Sequence, residues 1–310
     1  MGKASRTKQN TSRRERIAAQ RAAQRRREVR NRVLLASGAV VVVIAIVVVF
    51  VVVKANGKPA TTTSANGPTG AALSKVVSDT TSVPVSTLAQ VGAGSVTTPP
   101  SSIKGTPLTS GGKPEMLYIG AEYCPFCAFE RWGMVVALSR FGTFKGLSTV
   151  HSGTITGEVF PNTPTFTFYK STYTSKYLVF TPVEETTNQP ASNGQSYTPL
   201  QTPTAAQQAL LAKYDAPPYV PSSSKGAIPF VYVGGKYIIS SASASPSVLS
   251  GKSWSSIASS LKDPNSTVAK AIDGTANYIT AAICKTTNNQ PSSVCTPAVT
   301  ALQSKMTTAG

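Results

Sequence analysis

The stretch that most restricts the fold of this chain is residues 120–132, which read Gly-Ala-Glu-Tyr-Cys-Pro-Phe-Cys-Ala-Phe-Glu-Arg-Trp. A short apolar run, residues 116–119, precedes it, and apolar side chains at helical spacing follow its cysteines. Cys124 and Cys127 therefore lie where a strand ends and a helix begins. This arrangement predicts a buried strand that delivers a pair of thiols to the N-terminus of a helix.

The position of these cysteines favours redox chemistry. A thiol at a helix N-terminus lies near the positive end of the helix dipole and near free backbone N–H groups, which stabilise the thiolate that attacks disulfides. We expect Cys124 to be the more exposed nucleophile and Cys127, one turn into the helix, to resolve the mixed disulfide. Pro125 suits the first helical turn, because its missing N–H would have no partner there. A structural disulfide and a zinc site use the same spacing and remain alternatives.

A second informative stretch predicts a β-hairpin. Residues 227–239 contain two apolar runs that flank the turn dipeptide Gly234-Gly235. Pro229 opens the first of the two strands, where a missing backbone N–H is tolerated.

The motif in residues 120–132 resembles the signature of a family of thioredoxin-like proteins that is known only as a domain of unknown function. The resemblance begins near Val83 and extends almost to the C-terminus. It includes three further segments, residues 161–166, 173–177 and 228–231. The resemblance implies an α/β fold with a thioredoxin-like central sheet, flanking helices and extra C-terminal helices. The family name implies no activity, and the chemical expectation comes from the wider thioredoxin superfamily.

The resemblance also implies which residues act. Cys124, Cys127 and Pro229 match the active-site positions of the superfamily. In these folds a cis-proline faces the active-site cysteines, and the backbone of the residue before it can pair with an extended substrate. Ile228-Pro229 is therefore expected to be cis, the alternative being an ordinary trans proline at a strand start. The predicted substrate-binding residues are Pro125, Phe126, Ile228 and Pro229.

The N-terminal region predicts a membrane anchor. Residues 1–32 contain 12 Lys or Arg and 2 Glu, so they carry +10 of the formal net charge of +18. Residues 33–53 are 21 residues without a charge, and about 20 apolar residues span a bilayer as a helix. Basic residues before the span predict a cytoplasmic arm and an extracytoplasmic remainder. The alternative for residues 33–53 is a cleaved secretory signal.

Composition divides the rest of the chain. Residues 54–73 are rich in Gly, Ser, Thr and Ala and predict a flexible linker, and residues 74–310 form the predicted extracytoplasmic domain. We expect the arm, residues 1–32, to rest on anionic lipid. Binding of nucleic acid is the alternative, and it is disfavoured because no aromatic residue lies between the arginines. Four cysteines and one histidine fit an oxidising compartment.

Periodicity and capping signals predict the elements of the domain. Besides the elements already named, they predict strands over residues 165–169 and 177–181 and helices over residues 83–91, 125–140, 204–214, 253–261, 266–284 and 296–306. Residues 97–114 are predicted to form a loop or irregular hairpin. Residues 184–202 are predicted to form a long, exposed polar excursion.

Five further residues are candidates for a role. Cys284 and Cys295 enclose a short turn-like loop and predict a structural disulfide between two helix ends, with a second redox pair that relays electrons as the alternative. Glu122 and Glu130 flank the other cysteines, and either could accept a proton from the buried thiol, but structural hydrogen bonding or simple exposure is the favoured explanation. His151 is predicted to be a surface or hydrogen-bonded side chain.

These observations predict a membrane-anchored, extracytoplasmic thiol–disulfide oxidoreductase. The spacing does not set whether it oxidises or reduces, although Phe126 adds no charge to the thiolate and argues against an extreme oxidant. The expected substrates are protein thiols or disulfides, a membrane electron-transfer protein is a candidate partner, and no cofactor or metal is predicted. Two alternatives remain: a non-enzymatic thioredoxin-like module that binds peptides and keeps Cys124–Cys127 as a locked disulfide, and a membrane-anchored metal carrier.

The predicted topology can be tested with a protease that does not cross membranes. Applied to intact cells, it should digest the domain from residue 74 onward and leave the arm, residues 1–32, protected, because the basic residues hold the arm in the cytoplasm. Epitope tags at the two ends of the chain report the outcome. An arm that is cleaved from outside contradicts the topology.

Overall fold

The computed structural model describes residues 67–309. The helices are α1 (Gly70–Thr81), α2 (Val85–Val91), α3 (Pro125–Ser139), α4 (Ala205–Tyr214), α5 (Trp254–Ser260), α6 (Thr267–Thr286) and α7 (Pro297–Thr300). The strands are β1 (Ser101–Ser102), β2 (Thr109–Ser110), β3 (Lys113–Gly120), β4 (Gly142–Lys145), β5 (Ser148–His151), β6 (Pro164–Thr167), β7 (Thr172–Ser175), β8 (Val179–Glu184), β9 (Thr186–Pro190), β10 (Tyr197–Pro199), β11 (Phe230–Val233) and β12 (Tyr237–Ser240). Within residues 67–309, short 3-10 helices cover Ser222–Ser224, Pro246–Leu249 and Ala301–Lys305.

The predicted membrane anchor lies outside the described residues. This applies to the basic arm (1–32), to the apolar span (33–53) and to most of the predicted linker (54–73). Between residues 67 and 309, no helix is both long enough and apolar enough to cross a membrane. Helix α1 begins at Gly70, inside the stretch predicted as linker, because Ala71, Ala72 and Leu73 are good helix formers.

The central sheet is built around β3. Strand β11 pairs with β3 in antiparallel register on one side, and β12 and then β1 extend the sheet beyond it. Strand β8 pairs with β3 in parallel on the other side, and β2 pairs with the first residues of β3. The predicted mixed α/β architecture, with a central sheet and flanking helices, is therefore confirmed. Three two-stranded pairs, β4–β7, β5–β6 and β9–β10, lie outside this sheet.

The alternation of side chains along β3 creates two cores. Tyr118 packs on one face in the larger cluster, which contains Phe129 and Trp132 of α3. Leu117 and Ile119 pack on the other face in a smaller cluster that includes Tyr214. All of these side chains are at most 1% exposed. The sheet is therefore covered on both faces, as a strand that is apolar at successive positions requires.

Helix α3 is buried on all sides rather than along one face. Thirteen of its fifteen residues are buried, because α1, α6 and β6 all pack against it. The sequence predicted an apolar face that includes Trp132 and Val136, and those residues are buried as expected. Two charged residues, Glu130 and Arg131, are nevertheless buried as completely, with 0% exposure.

The prediction that residues 184–202 form an exposed excursion is wrong in two respects. Strand β8 continues to Glu184, which is fully buried. Residues beyond it form the hairpin of β9 and β10, whose Tyr197 is only 8% exposed. Polar composition suggested exposure, but Glu184 has a buried cationic partner that a local pattern cannot reveal.

Several local predictions are confirmed. Helix α4 begins after Thr204, which forms a capping box with Gln207. Pro84 precedes the first residue of α2, and the Gly234-Gly235 turn joins β11 to β12, with both glycines at positive φ. The predicted C-terminal helix is shorter than expected, since α7 ends at Thr300 and a 3-10 segment follows it.

The C-terminal helices are joined by a disulfide between Cys284 and Cys295, as the sequence predicts. The S–S distance is 2.01 Å, and both cysteines are buried. Cys284 lies in the last turns of α6, and Cys295 lies two residues before α7. The bond closes a loop with a sequence separation of 11 residues.

Replacing both Cys284 and Cys295 with Ser should lower the free energy of unfolding by about 2–3 kcal/mol, because the loop is no longer closed in the unfolded chain. Denaturant melts of the variant and of the parent protein measure the difference. Reductant added to the parent should reproduce the loss and should leave the variant unchanged. An unaltered midpoint would show that the disulfide has no stabilising role.

Candidate functional site

The register of the sheet brings the candidate residues to one edge. Gly120, the last residue of β3, lies opposite Glu184, the last residue of the parallel strand β8. Strand β11 runs the other way, and its first residue, Phe230, lies opposite Ile119. The residues that follow β3 and those that precede β11 therefore meet at the same edge.

Cys124 lies between the start of α3 and the loop before β11. It is the N-cap residue of α3, and its Sγ accepts a hydrogen bond from the backbone N–H of Cys127 at 3.4 Å. The same thiol donates to the carbonyl oxygen of Ile228 at 3.5 Å. The Ile228–Pro229 bond is cis, as the resemblance implies. Two distant segments that the sequence singled out are therefore in contact.

The two thiols differ in burial and acidity. Cys124 is 5% exposed and Cys127 is 0% exposed, and neither forms a disulfide in this structure. The hydrogen bond from the Cys127 side chain, followed by backbone N–H groups and the charge of Arg131, lowers the pKa of Cys124 below the usual thiol value although burial opposes it. Burial raises the pKa of Cys127 well above that value, and the neighbouring Cys124 adds to the rise. The first thiol is therefore the more acidic.

A buried ion pair lies next to the cysteines. Arg131 Nε and Nη2 donate to the two carboxylate oxygens of Glu184 at 2.9 and 2.7 Å, and both side chains are fully buried. Arg131 also donates to the carbonyl oxygen of Ala121, which lies three residues before Cys124. The backbone N–H of Phe168 donates to Glu184 at 3.3 Å. The pair therefore joins α3, β8 and the segment that leads to the first cysteine.

Position 120, next to the buried thiol of Cys127, has room only for glycine. A Cβ atom at this position would lie 2.9 Å from Cys127 Sγ and would overlap the hydroxyl of Tyr118. The Tyr118 hydroxyl donates to Glu184 Oε2 at 3.5 Å. Any larger residue at position 120 would therefore collide with the sulfur of Cys127 and with the phenol of Tyr118.

The flanking acids and the histidine have structural partners. Glu122 accepts a hydrogen bond from Thr167 at 2.6 Å, and burial raises its pKa. Glu130 accepts two hydrogen bonds from Ser243, and burial raises its pKa to about 7. The prediction of a surface or hydrogen-bonded His151 is wrong, because the side chain is buried and its ring packs 4.4 Å from that of Trp254. Both carboxylates are therefore hydrogen-bonded to neighbouring side chains, which is the alternative to a role in proton transfer.

The sequence did not single out Tyr118, Arg131 or Glu184. One signal was available for Arg131, because it lies four residues after Cys127 in a helix and so shares its face. Glu184 had no such signal, since its role depends on the parallel pairing of β8 with β3. Between residues 67 and 309, no group of three or more His, Cys, Asp or Glu side chains is close enough to hold a metal ion.

A family model described as a domain of unknown function (DUF929) matches residues 100–285. This chain belongs to that family. The matched region contains both cysteines of the pair, the ion pair of Arg131 with Glu184, and the cis bond before Pro229. No curated protein and no solved structure matches the chain.

Removing the two charges of the ion pair one at a time should shift the pKa of Cys124 in opposite directions. Arg131→Met leaves an unpaired carboxylate and should raise that pKa by about one unit, whereas Glu184→Gln leaves an unpaired guanidinium and should lower it by about one unit. The pH dependence of the rate at which Cys124 is alkylated by iodoacetamide measures the shift.

The matched control is the double variant Arg131→Met/Glu184→Gln, which has no net charge at this position and should return the pKa of Cys124 towards its original value. Each variant must first be shown to fold, because breaking a buried ion pair costs about 3–5 kcal/mol. Two folded single variants whose pKa shifts have the same sign would contradict the electrostatic assignment.

Proposed function

We propose that this protein is a thiol–disulfide oxidoreductase with a thioredoxin-like fold. The observation that supports this most is the contact between Cys124, at the N-terminus of a buried helix, and the carbonyl oxygen of Ile228 before a cis-proline. A parallel strand, β8, and an antiparallel strand, β11, on the two sides of β3 agree with such a fold.

The proposed reaction begins with the Cys124 thiolate. Its sulfur attacks one sulfur of a substrate disulfide and forms a mixed disulfide between Cys124 and the substrate. The second substrate sulfur leaves with the electron pair of the broken bond and takes up a proton. Cys127 then loses its proton and attacks Cys124 Sγ. The substrate leaves as a dithiol, reduced by two electrons, and Cys124–Cys127 becomes a disulfide. Every step is reversible, so the same residues can also oxidise a dithiol.

The lower pKa of Cys124 supports this order of attack. Its thiol is both the more exposed and the more acidic of the two, and the thiolate is the nucleophile. The Cys127 thiol is fully buried, so it reacts only after Cys124 has bound a substrate. The positive charge of Arg131 lowers the pKa of both thiols and therefore assists both steps.

We further propose that the enzyme acts outside the cytoplasm, anchored by residues 33–53, with residues 1–32 on the cytoplasmic side. The charge pattern of these residues supports the orientation. The disulfide between Cys284 and Cys295 is consistent with an oxidising compartment, where such bonds persist.

Trapping experiments test the roles of the two thiols. Cys127→Ser removes the resolving thiol, so mixed disulfides between Cys124 and its substrates should accumulate and appear on non-reducing gels as bands that reductant removes. Cys124→Ser should accumulate few mixed disulfides, because the remaining thiol, that of Cys127, is buried and its pKa is raised.

The Cys284→Ser/Cys295→Ser variant serves as the control. It keeps both Cys124 and Cys127, so mixed disulfides with substrates should not accumulate. Equal trapping by Cys124→Ser and Cys127→Ser would contradict the assigned order of attack. A folded protein that exchanges with no dithiol or disulfide at all would favour a peptide-binding module with a locked disulfide over an enzyme.

A further inference from the structure

Tyr123 and Phe126, the neighbours of Cys124 in the chain, form an apolar surface together with Phe160, which contacts Phe126, and with its neighbour Val159. This surface is here called the apolar rim. Tyr123 and Phe126 flank the cysteine in sequence, and they and Phe160 are half-buried. Val159 is 54% exposed and is one of two large hydrophobic side chains exposed between residues 67 and 309. A polypeptide that reaches the Cys124 sulfur therefore passes Tyr123 and Phe126, and the contact of Phe126 with Phe160 extends this surface to the loop that contains Val159.

The loop that supplies half of the apolar rim is held in an unfavourable backbone conformation. Phe160 has a φ of 49°, in the left-handed region that bulky residues rarely adopt. The hydroxyls of Ser152 and Thr163 both donate to the Phe160 carbonyl oxygen, at 3.1 and 2.7 Å. The Phe160 ring then lies edge-on to Phe126, with centroids 6.3 Å apart. Strain that is stabilised in this way is typical of functional surfaces.

Two carboxylates lie beside the apolar rim. The ring of Tyr197 stacks on Tyr123 at 4.4 Å, and its hydroxyl donates to Glu158 at 3.2 Å. Glu185 donates its backbone N–H to the Gly120 carbonyl oxygen at 2.7 Å, which places it at the edge of the sheet where the cysteines lie. Both glutamates are half-buried. Burial, together with the thiols and these two carboxylates, raises the pKa of Tyr123 to about 12.

The charge beside the apolar rim is opposite to that of the domain. Residues 67–309 contain 16 Lys or Arg and 10 Asp or Glu, so the domain is positive. Glu158 and Glu185 nevertheless flank the surface next to Cys124. Complementary charge selects partners and speeds their association more than it adds affinity.

We propose that the apolar rim, with Glu158 and Glu185, selects extended polypeptide segments in which the reacting cysteine has a bulky apolar neighbour and a Lys or Arg close by. This inference rests on the proposed function and names the substrate class of the same site. Apolar side chains supply the contact area, and the two carboxylates pair with the basic residue.

A set of peptide disulfides tests the selection on the full chain in detergent. Each peptide has a central cysteine bonded to 2-nitro-5-thiobenzoate, so that attack by Cys124 releases a coloured thiolate. One series places Lys, Ala or Glu two positions from the cysteine, and the other replaces an adjacent Phe with Ser. At low ionic strength the Lys peptide should react about fivefold faster than the Glu peptide, and 0.5 M salt should reduce this ratio. The Phe peptide should also react faster than the Ser peptide.

Matched variants show which residues cause each difference in reaction rate between peptides. Glu158→Gln/Glu185→Gln should bring the Lys-to-Glu ratio close to one, whereas Glu115→Gln/Asp263→Asn, which removes two carboxylates elsewhere, should keep the ratio. Val159→Ser, at an exposed position, and Phe160→Ala should both reduce the preference for Phe over Ser. Because each ratio is taken within one variant, a general loss of reactivity does not alter it.

The possible outcomes separate the two proposals. If the reduced protein reacts neither with the small disulfide of 2-hydroxyethanethiol nor with any peptide, the proposed function fails. If it reacts with that disulfide and with all peptides at equal rates, the oxidoreductase stands and the selection is overturned. A Lys preference that persists in Glu158→Gln/Glu185→Gln overturns the assignment of these carboxylates.

Discussion

The ion pair between Arg131 and Glu184 is the interaction on which the rest of the site depends. Both side chains have 0% exposure, and an unpaired charge at such a depth would cost several kcal/mol. The guanidinium forms two bonds to one carboxylate, a geometry that fixes direction as well as distance. The pair therefore links helix α3 to the end of strand β8. Through the bond from Arg131 to the Ala121 carbonyl oxygen, it also links both elements to the segment that leads to Cys124.

The same pair gives the thiols their electrostatic surroundings. Charges act strongly on neighbouring groups where water is excluded, and Cys127 is as deeply buried as the ion pair. Arg131 favours the thiolate of each cysteine, while the backbone donors at the start of α3 act mainly on Cys124. The difference in acidity between two thiols three residues apart thus follows from the hydrogen bond between them, which lowers the pKa of Cys124 and raises that of Cys127, and from the deeper burial of Cys127. One is at the helix terminus, and the other is one turn inside the core.

The proposed chemistry and the proposed substrate selection depend on different parts of the structure. The cysteines, the ion pair and the cis-proline depend on the central sheet and on α3, whose positions are fixed by core packing. The apolar rim depends on the loop before β6 and on the hairpin of β9 and β10, which contributes the stacked ring of Tyr197. Loops on a rigid scaffold can change without disturbing the core. In the proposed function, substrate preference is therefore separable from thiol reactivity.

The sequence by itself determined the elements whose signals are local. The apolar run before Gly120, Pro125 after the first cysteine, the Gly234-Gly235 turn and the Thr204 cap each predicted a strand, a helix or a turn that the structure contains. The pairing of Cys284 with Cys295 was also predictable, because the two lie close in the chain. Only the tertiary structure decided that Glu184 is buried rather than exposed, that Arg131 is its partner, and that Tyr118 and Gly120 border the Cys127 sulfur. These contacts join residues that are far apart in the chain. Their energies depend on burial and on the register of parallel strands, and neither is encoded in the periodicity of a single segment.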